Sequence, residues 1–360
     1  MPDPAIDGER LWTSLMAMAE IGATPEGGVE RLAASAADRT ARELLADWCR
    51  AAGCAVDVDA VGNMFARRPG RDPQRPPVQL GSHLDSVHGG GRFDGAYGVL
   101  AALETVRALN DAGIATDAPI ELVNWTNEEG ARFPVAMTGS RVFTGQMTQD
   151  AALALRDADG VGLGDALDAI GGRGAAPPGH PVGAYLEAHI EQGTVLEDAG
   201  LEVGLVTGIQ ARRRLRLDFA GATAHAGTCP LDGRHDALLA AARTTAQVRD
   251  LARAVDGEMR ATVGRLDSGP GAVNVVADRA TVYVDARHPA DATLARYVGD
   301  LEAAARAIAD AEGCGFELET LSQAAAVRFD AGCLEALRAA ARDRQIRTGE
   351  LVSGGGHDAG

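Results

Sequence analysis

The sequence predicts an α/β protein in which a mixed sheet lies between helices and a smaller α+β domain is inserted into it. Short apolar runs at 78–81 and 120–125 flank a helical pattern at 98–110, the alternation expected of a sheet with helices on its faces. The texture then changes near Gly208, and a strand, helix, strand, helix block follows. These observations divide the chain into a catalytic domain at 1–211 and 327–360 and an inserted lid or dimerisation domain at 212–326.

Each element has its own reason. Residues 11–21 and 40–52 read as helices, the second with Leu44, Leu45 and Trp48 at helical spacing. Gly53 is placed to end that helix. Residues 55–61 alternate as a strand, 63–67 continue extended, and 68–77 form a proline-rich loop. The apolar run at 78–81 leads into Gly81-Ser82-His83-Leu84-Asp85-Ser86-Val87, and a glycine run precedes Phe93-Asp94-Gly95. After the strand at 120–125, short helices fall within 150–174, a loop lies at 175–179, and 184–191 reads as a returning strand. In the inserted block, 212–220 and 281–287 read as strands and 236–254 and 293–312 as helices. A last helix begins after Phe329, before Leu351-Val352-Ser353 and Gly354-Gly355-Gly356-His357-Asp358-Ala359.

Composition narrows the function classes. The chain has 360 residues, enough for two domains with real cores, and its hydrophobic content of 46% is that of an ordinary globular protein. A formal net charge of −17 argues against nucleic acid or an anionic membrane as partner. There is no apolar run of about 18 residues and no basic-then-apolar leader at the start, so a cytoplasmic protein is expected. Five scattered cysteines match neither a zinc-ribbon nor a redox spacing and fit a reducing compartment.

Three clusters carry chemistry. A histidine at a strand end is often only a core residue, but His83 is joined to Asp94 by glycines that allow the tight turns of a metal site. Asp85 is placed to orient the His83 imidazole. Glu128 and Glu129, after the strand at 120–125, read either as a solvated loop or as two carboxylates with separate tasks. In the second reading one holds metal and the other accepts a proton from water. Glu187, His189 and Glu191 would share one face of a strand. Asp94 can then bridge two cations about 3.5–4 Å apart, with His83 and His189 on one and Glu129 on the other.

Together with Gly139-Ser140-Arg141, His189 to Gly193 and His225-Ala226-Gly227, these segments resemble the M20-type metallohydrolases. More narrowly they resemble the amidase, hydantoinase and carbamoylase branch, which holds N-carbamoyl-L-amino-acid hydrolases, β-ureidopropionases and allantoate amidohydrolases. The resemblance implies two divalent ions (Zn, Mn, Co or Ni), with His83, Asp94, Glu129 and His189 as ligands and Glu128 as general acid/base. It gives His225 an oxyanion-stabilising role across a homodimer interface, and Gln192, Asn274, Arg287 and His357 substrate-binding roles. Arg287 suits a planar carboxylate because its guanidinium can grip bidentately.

The resemblance also implies a further strand, a Ser-His segment with the last ligand of the second metal, and a helix after His-Asp-Ala. This chain stops at Gly360, so a truncated form with an incomplete second metal site is expected. The expected reaction is hydrolysis of the ureido C–N bond of an N-carbamoyl-L-amino acid. Allantoate or ureidoglycolate amidohydrolysis and β-ureidopropionase activity are the rivals within the class. A non-catalytic remnant that binds such ligands is the rival outside it.

Overall fold

The computed structural model describes residues 4–360, which divide into two compact units, 4–200 with 357–359 and 201–356 with 360. The first unit opens with helices α1 (Gly8–Ala19) and α2 (Ala36–Ala51). The Ser35 side chain accepts a hydrogen bond from the Asp38 N–H, so α2 begins four residues before the spacing of apolar residues alone suggested. Gly53 follows the end of α2 at φ +81, a conformation that glycine adopts without a Cβ clash.

Strands β1 (Ala55–Val58), β2 (Met64–Arg68) and β3 (Val78–His83), helix α3 (Ala96–Asp111), and strands β4 (Ile120–Trp125) and β5 (Ala184–Leu186) build the main sheet. Its order is β1-β2-β4-β3-β5. β2 runs antiparallel to both β1 and β4, while β4, β3 and β5 are parallel, so the sheet is mixed as expected. Val99, Leu103 and Val106 of α3 are fully buried in one core with Leu45 of α2 and Leu122 of β4. Each such side chain contributes about 1.5–3 kcal/mol by leaving water. Between β4 and β5 lie the short helices α4 (Thr138–Phe143), α5 (Gln149–Leu153) and α6 (Leu163–Ala169), and after β5 comes α7 (Val195–Ala199). The parallel pair β3 and β4 ends side by side, His83 opposite Trp125, and releases both chemistry-bearing loops at one sheet edge.

The returning strand is shorter than expected. β5 pairs with β3 only from Ala184 to Leu186, and the chain then leaves the sheet, so Glu187, His189 and Glu191 do not share a strand face. Glu191 instead accepts the Val195 and Leu196 N–H groups at the start of α7.

The second unit contains β6 (Val203–Ile209), β7 (Ala211–Ala220), α8 (Ala237–Val255), β8 (Arg260–Gly269), β9 (Arg279–His288), α9 (Asp291–Ala311), β10 (Gly315–Ala324), β11 (Val327–Arg328), α10 (Ala331–Asp343) and β12 (Thr348–Ser353). An antiparallel sheet of order β10-β7-β9-β8 packs against α8 and α9. Leu215, Leu217, Phe219, Val282 and Val284 face the two helices in that core. β6 lies between β11 and β12 in a separate three-stranded sheet. The inserted block therefore has two more strands than its sequence texture showed.

Candidate metal centre

β3 carries His83 to the sheet edge, and the turn after it brings back Asp94. Gly95 sits at φ +63, and a Cβ there would lie 2.5 Å from the His83 ring, so only glycine lets the returning chain pass so close to the imidazole. His83, Asp94 and His189 offer one ligand atom each, all within 4.8 Å of one another. The Nδ1 of His83 lies 2.9 Å from the Asp85 carbonyl, and the Nδ1 of His189 lies 2.7 Å from the Ile190 carbonyl. Both rings are thereby turned with Nε2 toward the site, the orientation a metal-binding imidazole needs.

Asp94 Oδ1 is buried without a hydrogen bond, although His189 Nε2 lies 3.2 Å away, and Gln192 donates to the other oxygen at 2.7 Å. Two imidazoles and a carboxylate with an unsatisfied oxygen make a donor set that fits a divalent cation. Burial works against the Asp94 charge, but His189 and His83 outweigh it and hold the carboxyl below its ordinary range. Burial likewise opposes charge on His189, yet Asp94 and the Ile190 carbonyl raise its pKa.

Asp85 is placed differently from expectation. Its carboxylate lies 3.9 Å from His83 Nδ1 and accepts the backbone N–H groups of Glu128 (3.2 Å) and Glu129 (3.3 Å). The carbonyl orients the imidazole, and the carboxylate fixes the loop after β4. Asn127 enters that loop at φ +54, with its amide donating to the Phe133 carbonyl and the Thr138 hydroxyl.

Glu128 projects its Oε2 to 3.6 Å from His83 Nε2. Burial, with Asp358, Asp85 and Glu129 adding like charge, pushes its carboxyl up to about 10. The Glu129 carboxyl is also raised by burial, with His83 opposing, and it accepts the Val87 N–H. Among the described residues Glu129 falls in neither group of three potential ligands.

The second such group is Glu187, His189 and His357. The His357 ring centroid lies 4.5 Å from that of His189, and burial with the neighbouring imidazoles lowers its pKa to about 4. Glu187 accepts from Ser82 Oγ at 2.6 Å and Tyr185 OH at 3.3 Å. Both carboxyl oxygens of the half-buried Asp358 are shielded from solvent, and desolvation with the Glu187 charge holds the carboxyl well above the usual range. Sequence placed Glu187 in a polar cluster with His189 without a role of its own, and gave Asp358 none. Their proximity to His189 and to His357 in the chain was the available signal.

The remaining expected residues belong to the second unit. His225 pairs with Val275 through a single β-bridge, and the Ala226 N–H donates to the Asn274 carbonyl at 2.9 Å, so His225 and Asn274 share the loop end of the β8–β9 hairpin. Arg287 lies eight residues beyond Arg279 on β9, roughly 27 Å away at 3.4 Å per residue. There it pairs bidentately with Asp285, at 2.7 and 3.2 Å, and donates to the Gly354 carbonyl.

A mixed α/β sheet that gathers two histidines and a carboxylate beside a buried glutamate at the ends of its parallel strands defines a metallohydrolase of the two-domain amidase type. The chain belongs to the peptidase family M20/M25/M40, which it matches over residues 56–360. An N-carbamoyl-L-amino-acid amidohydrolase of Rhizobium meliloti is 41% identical over 355 residues, covering 98% of this chain and 85% of that protein. The N-carbamoyl-L-amino acid amidohydrolase of Geobacillus stearothermophilus is 44% identical over 288 residues, covering 78% and 70% respectively. A solved hydantoinase/carbamoylase family amidase from Burkholderia ambifaria is 50% identical and superimposes with a TM-score of 0.95, covering 99% of this chain and 88% of that one. The chain is thus an amide-bond hydrolase by family. Among the described residues no helix is long and apolar enough to cross a membrane.

Proposed function

We propose that this protein hydrolyses the ureido C–N bond of N-carbamoyl-L-amino acids, yielding the L-amino acid, ammonia and carbon dioxide. The observation that carries the reading is the convergence of His83, Asp94 and His189 within 4.8 Å, with the buried Glu128 carboxyl 3.6 Å from His83. Divalent ions (Zn, Mn, Co or Ni), one held by His83, Asp94 and His189 and a second by Asp94 and Glu129, would supply Lewis-acid polarisation of the carbonyl and activation of water.

Glu128 moves the proton. Burial and like charge push its carboxyl up to about 10, and a divalent ion held by His83, Asp94 and His189 would lower it toward the range where Glu128 can take a proton from water at neutral pH. It then returns that proton to the leaving nitrogen. Asp85 holds the Glu128 and Glu129 amides, so the base is fixed relative to His83. His225 is the donor to the developing oxyanion, an effect typically worth about 3–4 kcal/mol. Gln192, Asn274, Arg287 and His357 bind the substrate, with Arg287 taking its carboxylate.

Residues 212–326 serve as lid and dimerisation domain in this reading. The separation of His225 and Asn274 from Arg287 along β9 supports a homodimer, because one small ligand cannot span both ends of that strand, whereas two copies can offer opposite ends. The five cysteines are unpaired, which supports a cytoplasmic protein.

Turnover of N-carbamoyl-L-amino acids, allantoate, ureidoglycolate and β-ureidopropionate, measured side by side with each metal, tests the assignment. Preferred release of free L-amino acid is expected. Faster turnover of allantoate would move the substrate to the rival, and no ureido hydrolysis by metal-loaded protein would overturn the activity.

A further inference from the structure

We propose that Arg31 is a positioning residue for the metal centre: by gripping the Leu84–Ser86 segment from inside the core it fixes the Asp85 peptide that orients His83. The inference rests on the reading of His83 as a metal ligand.

Arg31 is 1% exposed and heads the fully buried side chains by volume. A buried guanidinium usually pairs with a carboxylate. Among the described residues Arg31 has no such ion pair. Its Nε donates to the Leu84 carbonyl, and its Nη1 donates to the carbonyls of Met18 (3.1 Å) and Ile21 (2.9 Å). Its backbone holds the same loop a second time. The Arg31 N–H donates to Ser86 Oγ at 3.0 Å, and the Ser86 N–H donates to the Arg31 carbonyl at 2.9 Å.

These ties bracket Asp85 on both sides. The Leu84 carbonyl belongs to the peptide unit that precedes Asp85, and Ser86 follows it. With both neighbours tied, the Asp85 carbonyl is held toward His83 Nδ1, while its carboxylate accepts the Glu128 and Glu129 amides. Ordinary loop packing would need none of this, since an aliphatic residue fills the same space without burying a charge.

The consequence is specific. Loss of the fork takes from the buried Leu84 carbonyl its Arg31 donor and lets the Leu84–Asp85 peptide rotate, so the His83 imidazole loses its fixed tautomer. Metal affinity should suffer while substrate affinity does not, because Arg31 touches no residue assigned to substrate.

The test compares wild type with Arg31→Met, Arg31→Lys and Ser86→Ala. It measures Zn²⁺ and Mn²⁺ affinity by chelator competition, kcat and KM at saturating metal, and folding by circular dichroism. Arg31→Met should bind metal about 10- to 100-fold more weakly. Excess metal should restore its kcat, and its KM should stay at the wild-type value. Arg31→Lys, which keeps the charge and can serve one or two of the carbonyls, should recover part of the affinity. Ser86→Ala removes one backbone tie without disturbing the charge, and should shift affinity in the same direction by less. Folded Arg31→Met and Ser86→Ala with wild-type metal affinity would overturn the inference, as would collapse of all three folds, which assigns Arg31 to stability alone. A wild type that binds no ion would instead overturn the reading of His83 as a ligand.

Discussion

His83 Nδ1 lies 2.9 Å from the backbone carbonyl of Asp85 and 3.9 Å from its carboxylate, so one residue orients the imidazole with its main chain and keeps its side chain for another task. That task is the loop after β4, where the carboxylate accepts the Glu128 and Glu129 amides. Asp85→Asn leaves the carbonyl in place and presents an amide group to two N–H donors that need acceptors. The variant should retain wild-type metal content while kcat falls by about 10- to 100-fold. Metal analysis beside turnover checks this. Loss of metal with unchanged turnover per bound ion would show that the carboxylate acts through His83.

Glu128→Gln tests the proton carrier. The amide matches the carboxyl in size, and it removes a group already burdened by burial and four neighbouring carboxylates, so the fold and metal content should survive. Turnover should fall by about 10²- to 10⁴-fold, the usual worth of a positioned acid/base. Wild-type-like kcat in the metal-loaded variant would remove Glu128 from the mechanism.

Most of the first unit was legible in the sequence because its signals are local and strong. The β3 run, the α3 periodicity and the paired glutamates after β4 all lie where the pattern put them. β8 and β10 were not legible, and the sheet order explains why. They are the two edges of β10-β7-β9-β8, where the apolar face is only half-buried and small or polar residues interrupt it, whereas the central β7 and β9 bury theirs fully. Motif spacing indicated His83, Asp94 and His189, but not the split use of Asp85, which depends on how two loops meet. Nor could it show that Arg31, an ordinary arginine by composition, lies in the core.

Arg287→Lys addresses substrate recognition. The guanidinium is held in plane by Asp285 and the Gly354 carbonyl, an arrangement that a single ammonium cannot reproduce. If Arg287 takes the substrate carboxylate, the lysine variant loses a charge-assisted bond of about 1.5–3 kcal/mol, seen as a KM raised roughly 10- to 100-fold. kcat should change little. Steady-state kinetics with an N-carbamoyl-L-amino acid and with its carboxamide analogue separates the effects, since the analogue should be nearly indifferent to the substitution.

Glu121 on β4 gives a pH test at the opposite end of that strand from Glu128. It is 1% exposed and accepts from Arg67 Nε (2.8 Å) and Gln79 Nε2 (2.6 Å), with His180 Nε2 at 2.7 Å. Burial raises its pKa, but the bonds from His180 and Gln79 and the charges of His180 and Arg67 outweigh burial and hold it below its ordinary 4.5. A carboxyl with a depressed folded-state pKa contributes stability that is fully present above the unfolded value and is lost as pH falls through the folded one. Glu121→Gln should therefore cost about 1–3 kcal/mol at neutral pH. The deficit should shrink only on the acid side of 4.5, where the wild-type carboxyl takes up its proton. Urea unfolding of both proteins between neutral and acidic pH measures it. A deficit that stays constant across that range would mean that Glu121 acts through shape and hydrogen bonding rather than through its charge.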